Sequence, residues 1–393
     1  MSHDSATPYA LRLRGLRKQF GGVVAVDGVD LDVAPGEFLT LLGPSGSGKT
    51  TILKMIAGFE APTGGAIELA GRDVSALSPA ERGIGVVFQQ YALFPHMTVG
   101  ENIAYPLKLR KTPAAERAAR VDEMLALVEL AGYGARLPRE LSGGQQQRVA
   151  VARALAFKPA LLLMDEPLGA LDRALRVGMQ EEIRRIHRDS GATILYVTHD
   201  QEEALTMSDR VAIMREGRLR QVGPPRQLYE RPADQFVATF FGECTLIPAE
   251  LLDPADEASA APATHAGATP PASEAVRTEP AAVIPAGEAD VRVRVLDHEA
   301  TVRRGGPLPS REIALAVRPG RIRLHPAPGD LPLPATIVDL LYLGDAVRII
   351  ARHPDAGEIL VRADPDATRD LRIGQQVTFG FAPKDAVAVG GER

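Results

Sequence analysis

Leu41-Leu-Gly-Pro-Ser-Gly-Ser-Gly-Lys-Thr50 is the stretch that decides the fold. It fits G-x-x-x-x-G-K-[ST] through Gly43, Gly48, Lys49 and Thr50. An apolar run, Phe38–Leu42, precedes it and a helix-compatible run, Thr51–Ala57, follows. That strand–loop–helix context separates a phosphate-binding loop from a chance cluster of glycines. Glycines let the backbone curl so that successive N–H groups point inward, and the following helix adds its positive end. The expected nucleotide contacts are Gly43, Pro44, Ser45, Gly46, Ser47, Gly48, Lys49, Thr50 and Thr51. Lys49 would reach the β- and γ-phosphates as a point charge, and Thr50 would offer its hydroxyl to Mg²⁺. A purely structural glycine turn has no need of Lys-Thr at that offset.

A second run, Leu161-Leu-Leu-Met-Asp165-Glu166-Pro, reads as a buried strand ending in two adjacent carboxylates. In an open α/β sheet such a strand end lies beside the phosphate loop, at the carboxyl edge. Asp165 is suited to the Mg²⁺ shell. Glu166 is suited to polarising an attacking water, a role worth about 10²–10⁴ in rate. Alone, Asp-Glu after an apolar run could merely cap an element; together with the loop at 43–50 it points to hydrolysis of a nucleotide.

The composition frames these motifs. A chain of 393 residues, 45% hydrophobic and 24% charged, can bury more than one core and divides into two or three domains. Its net charge of −5 gives no overall basic excess, so nucleic acid is not the expected partner. One cysteine, Cys244, excludes an internal disulfide framework and suits a reducing compartment. The N-terminal stretch has no apolar core of a secretory signal, and no uncharged apolar run reaches the roughly 18 residues of a membrane span. A membrane role would therefore run through a partner.

Residues 8–240 read as one α/β domain. Leu11–Leu13, Val23–Val33 and Ala66–Leu69 alternate as an antiparallel flank, whereas Phe38–Leu42, Leu161–Met164 and Thr193–Thr198 are continuous enough for central parallel strands. A helical subdomain is expected over about 90–157, with helices in Pro113–Leu130 and Gln145–Ala156. Residues 253–289 are rich in Ala and Pro and read as a flexible insertion. Around it, 241–393 forms a small all-β barrel or sandwich, with period-two segments at Val291–Val302, Ile313–Leu324, Ala335–Leu341, Val347–Arg352, Glu358–Arg362 and Gln375–Phe381. Leu246–Leu251 is a further candidate for that domain.

Leu141-Ser142-Gly143-Gly144-Gln145, continuing as Gln-Gln-Arg148, resembles the signature of the ATP-binding cassette (ABC) proteins. On physical grounds Ser142 and two glycines open a helix whose N–H groups could receive a γ-phosphate. The resemblance covers most of the first 240 residues and implies a mixed α/β P-loop ATPase. In this family the signature faces ATP held by the opposite subunit, so a homodimer with two shared ATPs is implied. Gln89 looks like the family's Q-loop glutamine, an Mg²⁺ and water sensor; His199 matches the switch histidine on the γ-phosphate; Asp172 corresponds to the D-loop aspartate. Phe20 resembles the aromatic residue that stacks on adenine, with a core phenylalanine as its rival.

The tail narrows the branch. Val317-Arg-Pro-Gly-Arg-Ile322 and the closing Gln375–Val389 look like the oligosaccharide-binding-like (OB-like) regulatory domain of bacterial importer ATPases. The stretch around Phe241-Gly-Glu243 is similar to polyamine importers, although Cys244-Thr245 interrupts their pattern. Ferric-ion, sulfate, phosphonate and sugar importers are the alternatives, as is a soluble, non-transport ABC ATPase. The resemblance implies membrane permeases as partners, docked near 88–105 with Ala92–Met97 as an apolar patch, an extracytoplasmic solute-binding protein, and a place at the cytoplasmic face of the inner membrane.

Overall fold

The computed structural model describes residues 9–89, 92–169, 171, 173–254 and 290–391. The chain divides into two compact units, one running to Pro225 and one starting at Arg226.

In chain order the first unit contains β1 (Leu11–Phe20), β2 (Val23–Val33), β3 (Phe38–Leu42), α1 (Lys49–Ala57), β4 (Gly64–Leu69) and β5 (Arg72–Asp73). It continues through β6 (Gly85–Val87), α2 (Val99–Leu109), α3 (Ala114–Leu127), α4 (Gly143–Leu155), β7 (Leu162–Asp165) and α5 (Arg173–Ser190). Finally come β8 (Ile194–Thr198), α6 (Gln201–Met207), β9 (Arg210–Arg215) and β10 (Arg218–Gly223). Two sheets result. The antiparallel flank runs β2-β1-β4-β5, and the central sheet runs β10-β9-β3-β8-β7-β6. β3 is parallel to both β8 and β9, β7 is parallel to β6 and β8, and only β10 runs antiparallel, as the edge strand.

Every residue of β3 and β8 is buried, which is why neither alternates. One face of the central sheet packs Leu39, Leu41, Leu163, Leu195 and Val197 against α1 and the flank. The other packs Phe38, Met164 and Tyr196 against the helices α2–α5. Because α1, β7 and β8 all start or end at one sheet edge, the phosphate loop, the Asp165–Glu166 pair and His199 converge there.

The second unit opens with α7 (Pro225–Glu230), whose first residue closes the first unit, and α8 (Gln235–Phe240). These helices lie in the span 8–240 that the sequence assigns to the first domain, yet they group with the second unit. Among the described residues these strands follow: β11 (Thr245–Leu251), β12 (Asp290–Val295), β13 (His298–Arg304), β14 (Glu312–Val317), β15 (Leu331–Tyr342), β16 (Val347–His353), β17 (Gly357–Ala363), β18 (Gln376–Phe381) and β19 (Ala386–Gly390). A closed barrel, β11-β12-β13-β19-β14, shares its core with the sheet β17-β16-β15-β18. Val291–Val302, expected as one strand, is a tight hairpin: Leu296 turns at φ 51°, and Val295 pairs with His298.

Candidate active site

Two glycines fix the phosphate loop. A Cβ on Gly43 would lie 2.4 Å from the Met214 carbonyl, so the backbone of β9 presses against the loop. Gly48 has φ 98°, and a Cβ there would meet the Ala25 carbonyl at 2.5 Å. α1 begins at Lys49, so the N–H groups of its first turn have no acceptor within the helix and are directed at the loop's concavity. The Lys49 ammonium lies across the loop, donating to the carbonyls of Gly43 at 2.8 Å and Pro44 at 3.0 Å. Lys49 is 5% exposed; burial lowers its pKa, and the charges of Glu166 and Asp165 oppose that shift.

β7 delivers the two carboxylates. The Asp165 oxygen Oδ1 is buried and has no hydrogen-bond partner. Desolvation raises the Asp165 pKa, the neighbouring Glu166 charge adds to the rise, and Lys54, the Thr50 hydroxyl bond and Lys49 act against it. A buried, partnerless carboxylate oxygen next to a threonine hydroxyl is an oxygen donor set of the kind Mg²⁺ takes. Glu166 sits in the left-handed region at φ 44°, a conformation that costs a non-glycine residue about 1–3 kcal/mol and collects at functional sites. Its N–H is tied to the Val197 carbonyl on β8 at 2.9 Å. His199, just beyond β8, brings Nδ1 to 3.3 Å from Glu166 Oε1. A Cβ on Gly169 would lie 3.4 Å from Gln89 Nε2, so the exposed Gln89 flanks the turn that follows Glu166. Gly43–Thr51, Gln89, Asp165, Glu166 and His199 are thus gathered at one sheet edge.

Other expected residues stand apart. Ser142 caps α4, accepting from the Gln145 N–H at 3.3 Å while Gln145 Oε1 accepts from the Ser142 N–H at 3.0 Å. Ser142 and Gly143 are exposed, and Gly144 is buried against Leu175 and Met179. Among the described residues no hydrogen bond or ion pair joins 142–145 to the phosphate loop of the same chain. Phe20, at the end of β1, is 46% exposed with the Lys18 ammonium 4.8 Å from its ring centroid, and so is no core residue. Asp172 lies outside the described residues. In the patch expected at 92–97, Phe94 is half-buried against Tyr105 (centroids 4.7 Å apart), and the fully buried Asn102 amide holds its backbone. Among the described residues Phe59 and Phe88 are exposed aromatics whose ring centroids lie 6.0 Å apart.

Three supporting groups escape the motif reading. Arg82, 6% exposed, donates to the carbonyls of Met55 and Ile56 at the C-terminal end of α1, and to those of Ser75 and Leu77. That places a cation on the negative end of the helix whose other end forms the cradle. Glu203, 3% exposed, accepts from Thr198 Oγ1 at 2.6 Å and Tyr196 Oη at 2.9 Å beneath His199. Asp200 caps α6 and pairs with Arg176 at 3.2 Å. Only Asp200 carried a readable signal, an aspartate immediately before a helical run.

Residues 26–169 match the family described as ABC transporter, and residues 315–389 match the TOBE domain. The "Spermidine/putrescine import ATP-binding protein PotA" of Rubrobacter xylanophilus is 42% identical over all of this chain and 97% of its own length. The "Fe(3+) ions import ATP-binding protein FbpC 1" of Rhizobium meliloti is 41% identical, with 98% of this chain and 99% of the relative aligned. Among solved structures, cbiO1 from Clostridium perfringens, part of the ABC transporter complex cbiONQ, is 28% identical and superposes with a TM-score of 0.53. That match covers 56% of this chain and 90% of the other.

Proposed function

This chain belongs to the ABC transporter family, and from that premise we propose that it is the ATP-hydrolysing subunit of a polyamine importer. The observation that carries the hydrolytic role is the meeting of Glu166 and His199 at 3.3 Å, beside a buried Asp165 oxygen with no protein partner and within reach of the Lys49 charge. The triphosphate lies in the cradle of Gly43–Thr51, with Lys49 on its β- and γ-phosphates, and adenine stacks on Phe20. Thr50, Gln89 and Asp165 hold Mg²⁺, which supplies charge neutralisation when bound. Glu166 accepts a proton from the attacking water. As the new bond between that oxygen and the γ-phosphorus forms, the bond to the bridging oxygen breaks and ADP leaves with that oxygen. His199 steadies the γ-phosphate and, by its hydrogen-bond distance to Glu166, fixes where the base stands.

Ser142, Gly143, Gly144 and Gln145 serve the ATP of a second copy of the chain, and Asp172 is assigned the family's D-loop role by resemblance alone. The exposure of Ser142 and Gly143 at the start of α4 supports this reading. Two copies related by a two-fold axis close over two ATPs and reopen after hydrolysis. No helix among the described residues is long and apolar enough to cross a membrane, so the force of closure passes to permease subunits, with Phe59 and Phe88 as exposed apolar contacts. The chain then works at the cytoplasmic face of the inner membrane, and cargo reaches the permeases from an extracytoplasmic binding protein.

Polyamine cargo rests on the function that the Rubrobacter relative's name states. The Rhizobium relative, nearly as similar, favours ferric iron as the second reading. Uptake of labelled spermidine, putrescine and ferric ion by cells lacking this chain tests both. Loss of polyamine uptake, restored by the wild-type gene but not by Glu166→Gln, is expected. Intact polyamine uptake with lost iron uptake overturns the cargo assignment.

A further inference from the structure

Glu166 and His199 stand on separate strand ends, β7 and β8, and each leads into a segment of its own: a run of turns after Glu166, a short helix after His199. From Glu166 the chain passes through turns in which Gly169 N–H donates to the Glu166 carbonyl at 3.1 Å and Leu171 N–H to the Leu168 carbonyl at 3.1 Å. From His199 it enters α6 through Asp200, whose Oδ1 accepts from Glu202 N–H at 2.8 Å and whose own N–H donates to Thr198 Oγ1 at 3.0 Å. One side chain joins the two paths. Arg176, in the first turn of α5, donates from Nη2 to the Leu171 carbonyl at 3.1 Å and from Nη1 to Asp200 Oδ2 at 3.2 Å.

We propose that Arg176 is a positioning residue that sets the separation of Glu166 and His199 by fastening the Leu171 carbonyl to the Asp200 carboxylate. The proposal rests on the reading of Glu166 and His199 as the hydrolytic pair. Three features favour it over an ordinary surface ion pair. A cation in the first turn of a helix opposes the helix dipole, so this placement is not one that α5 itself favours. Arg176 Nε is buried without a partner, which leaves the two outer nitrogens as the working contacts. The planar fork of a guanidinium spans two acceptors in fixed geometry, as a lysine ammonium does not. Both anchors are also tied into the surrounding structure. Leu171 is buried in the core beneath α4 and α5, and Asp200 is held by the N–H groups of α6. Arg176 therefore ties the Leu171 carbonyl directly to the residue beside His199.

The test uses the full-length protein and steady-state ATP hydrolysis. Arg176→Met and Asp200→Asn each sever the link, and the asparagine keeps an oxygen to cap α6. Each is expected to lower kcat by about 10–100-fold, the cost of misplacing a catalytic group by about an ångström. The KM and the equilibrium affinity for ATP should stay within about twofold, because the cradle is untouched. Arg176→Lys should recover only part of the rate, and the double variant should be no slower than the slower single one. Arg188→Met, an exposed cation on the same helix, should match wild type. A kcat within about twofold of wild type in Asp200→Asn, or losses that multiply in the double variant, overturns the proposal. If Arg176→Met fails to fold, Asp200→Asn decides alone. Glu166→Gln, assayed in parallel, separates the two ideas: retained turnover there sinks the reading of the site, whereas a dead Glu166→Gln beside a fast Asp200→Asn sinks only the role of Arg176.

Discussion

Asp165→Asn should make the protein more stable without ligand and less stable with it. In the free protein the Asp165 carboxylate is held out of water, its Oδ1 has no partner, and the Glu166 charge next to it makes ionisation harder. Asparagine has almost the same volume, can still accept from the Thr50 hydroxyl, and carries no charge. An unsatisfied buried polar atom costs about 1–3 kcal/mol, more when charged, and asparagine retains the hydrogen-bond part of that cost. The net gain is therefore about 1 kcal/mol. For a unit of 225 residues this raises Tm by about 2–4 °C. Mg-ATP reverses the order. At a hundred times its Kd a ligand adds about 2.7 kcal/mol to the stability of the form that binds it, and the asparagine variant should lose the magnesium-dependent share. Thermal unfolding in EDTA, in ATP with EDTA, and in ATP with Mg²⁺ reads both signs. A variant less stable than wild type in EDTA refutes the account of Asp165 as a strained, cation-seeking carboxylate. So does a variant whose Tm responds to Mg²⁺ as wild type does.

Glu166→Gln should bind ATP normally, lose turnover by about 10²–10⁴, and elute as a dimer in size-exclusion chromatography with ATP present; normal turnover or a monomer would count against the shared site. Ser142→Arg places bulk and charge at the helix end proposed to meet a second copy's ATP, so hydrolysis should lose its cooperative dependence on ATP, and an unchanged Hill coefficient contradicts the prediction. Glu203→Gln addresses pH. Burial raises the Glu203 pKa against the opposing bonds from Thr198 and Tyr196, so the folded state holds the proton more tightly than the unfolded one. Stability of the wild type therefore falls as pH rises from the ordinary glutamate value, about 4.3, through the raised folded value. Urea unfolding at a series of pH values should show the glutamine variant gaining on wild type over that window and levelling off above it; a difference that does not change with pH excludes this explanation.

What could be read from the chain beforehand follows from how local each feature is. The cradle at 43–50 is written in consecutive residues, because a backbone that must curl needs glycine at set offsets, and the structure shows neighbouring carbonyls occupying the space of the missing Cβ atoms. β3, β7 and β8 were legible as apolar runs because both of their faces are covered. β12 and β13 merged into one expected strand because the two-residue turn between them uses Leu296 and Asp297 in place of glycine. β9 and β10 went unread, although β9 supplies the Met214 carbonyl that closes the loop against Gly43.

The supporting groups are illegible for a different reason. Arg82 acquires its role only when the end of α1, 26 and 27 residues earlier in the chain, is brought beneath it. Glu203 looks like one acid in an ordinary Gln-Glu-Glu helix start until β8 is placed behind it. The motif residues proposed to meet the ligand are constrained in sequence; the residues that hold them answer to carbonyls and hydroxyls whose positions exist only after folding. This division predicts where the chemistry is most easily disturbed from a distance. Arg82 grips the tail of α1, the helix proposed to bind phosphate, and Glu203 underlies the loop that carries His199. Neither belongs to the proposed ATP contacts, yet each bears on one half of the same site. Substitution at Arg82 should therefore act first on nucleotide affinity, and substitution at Glu203 first on turnover.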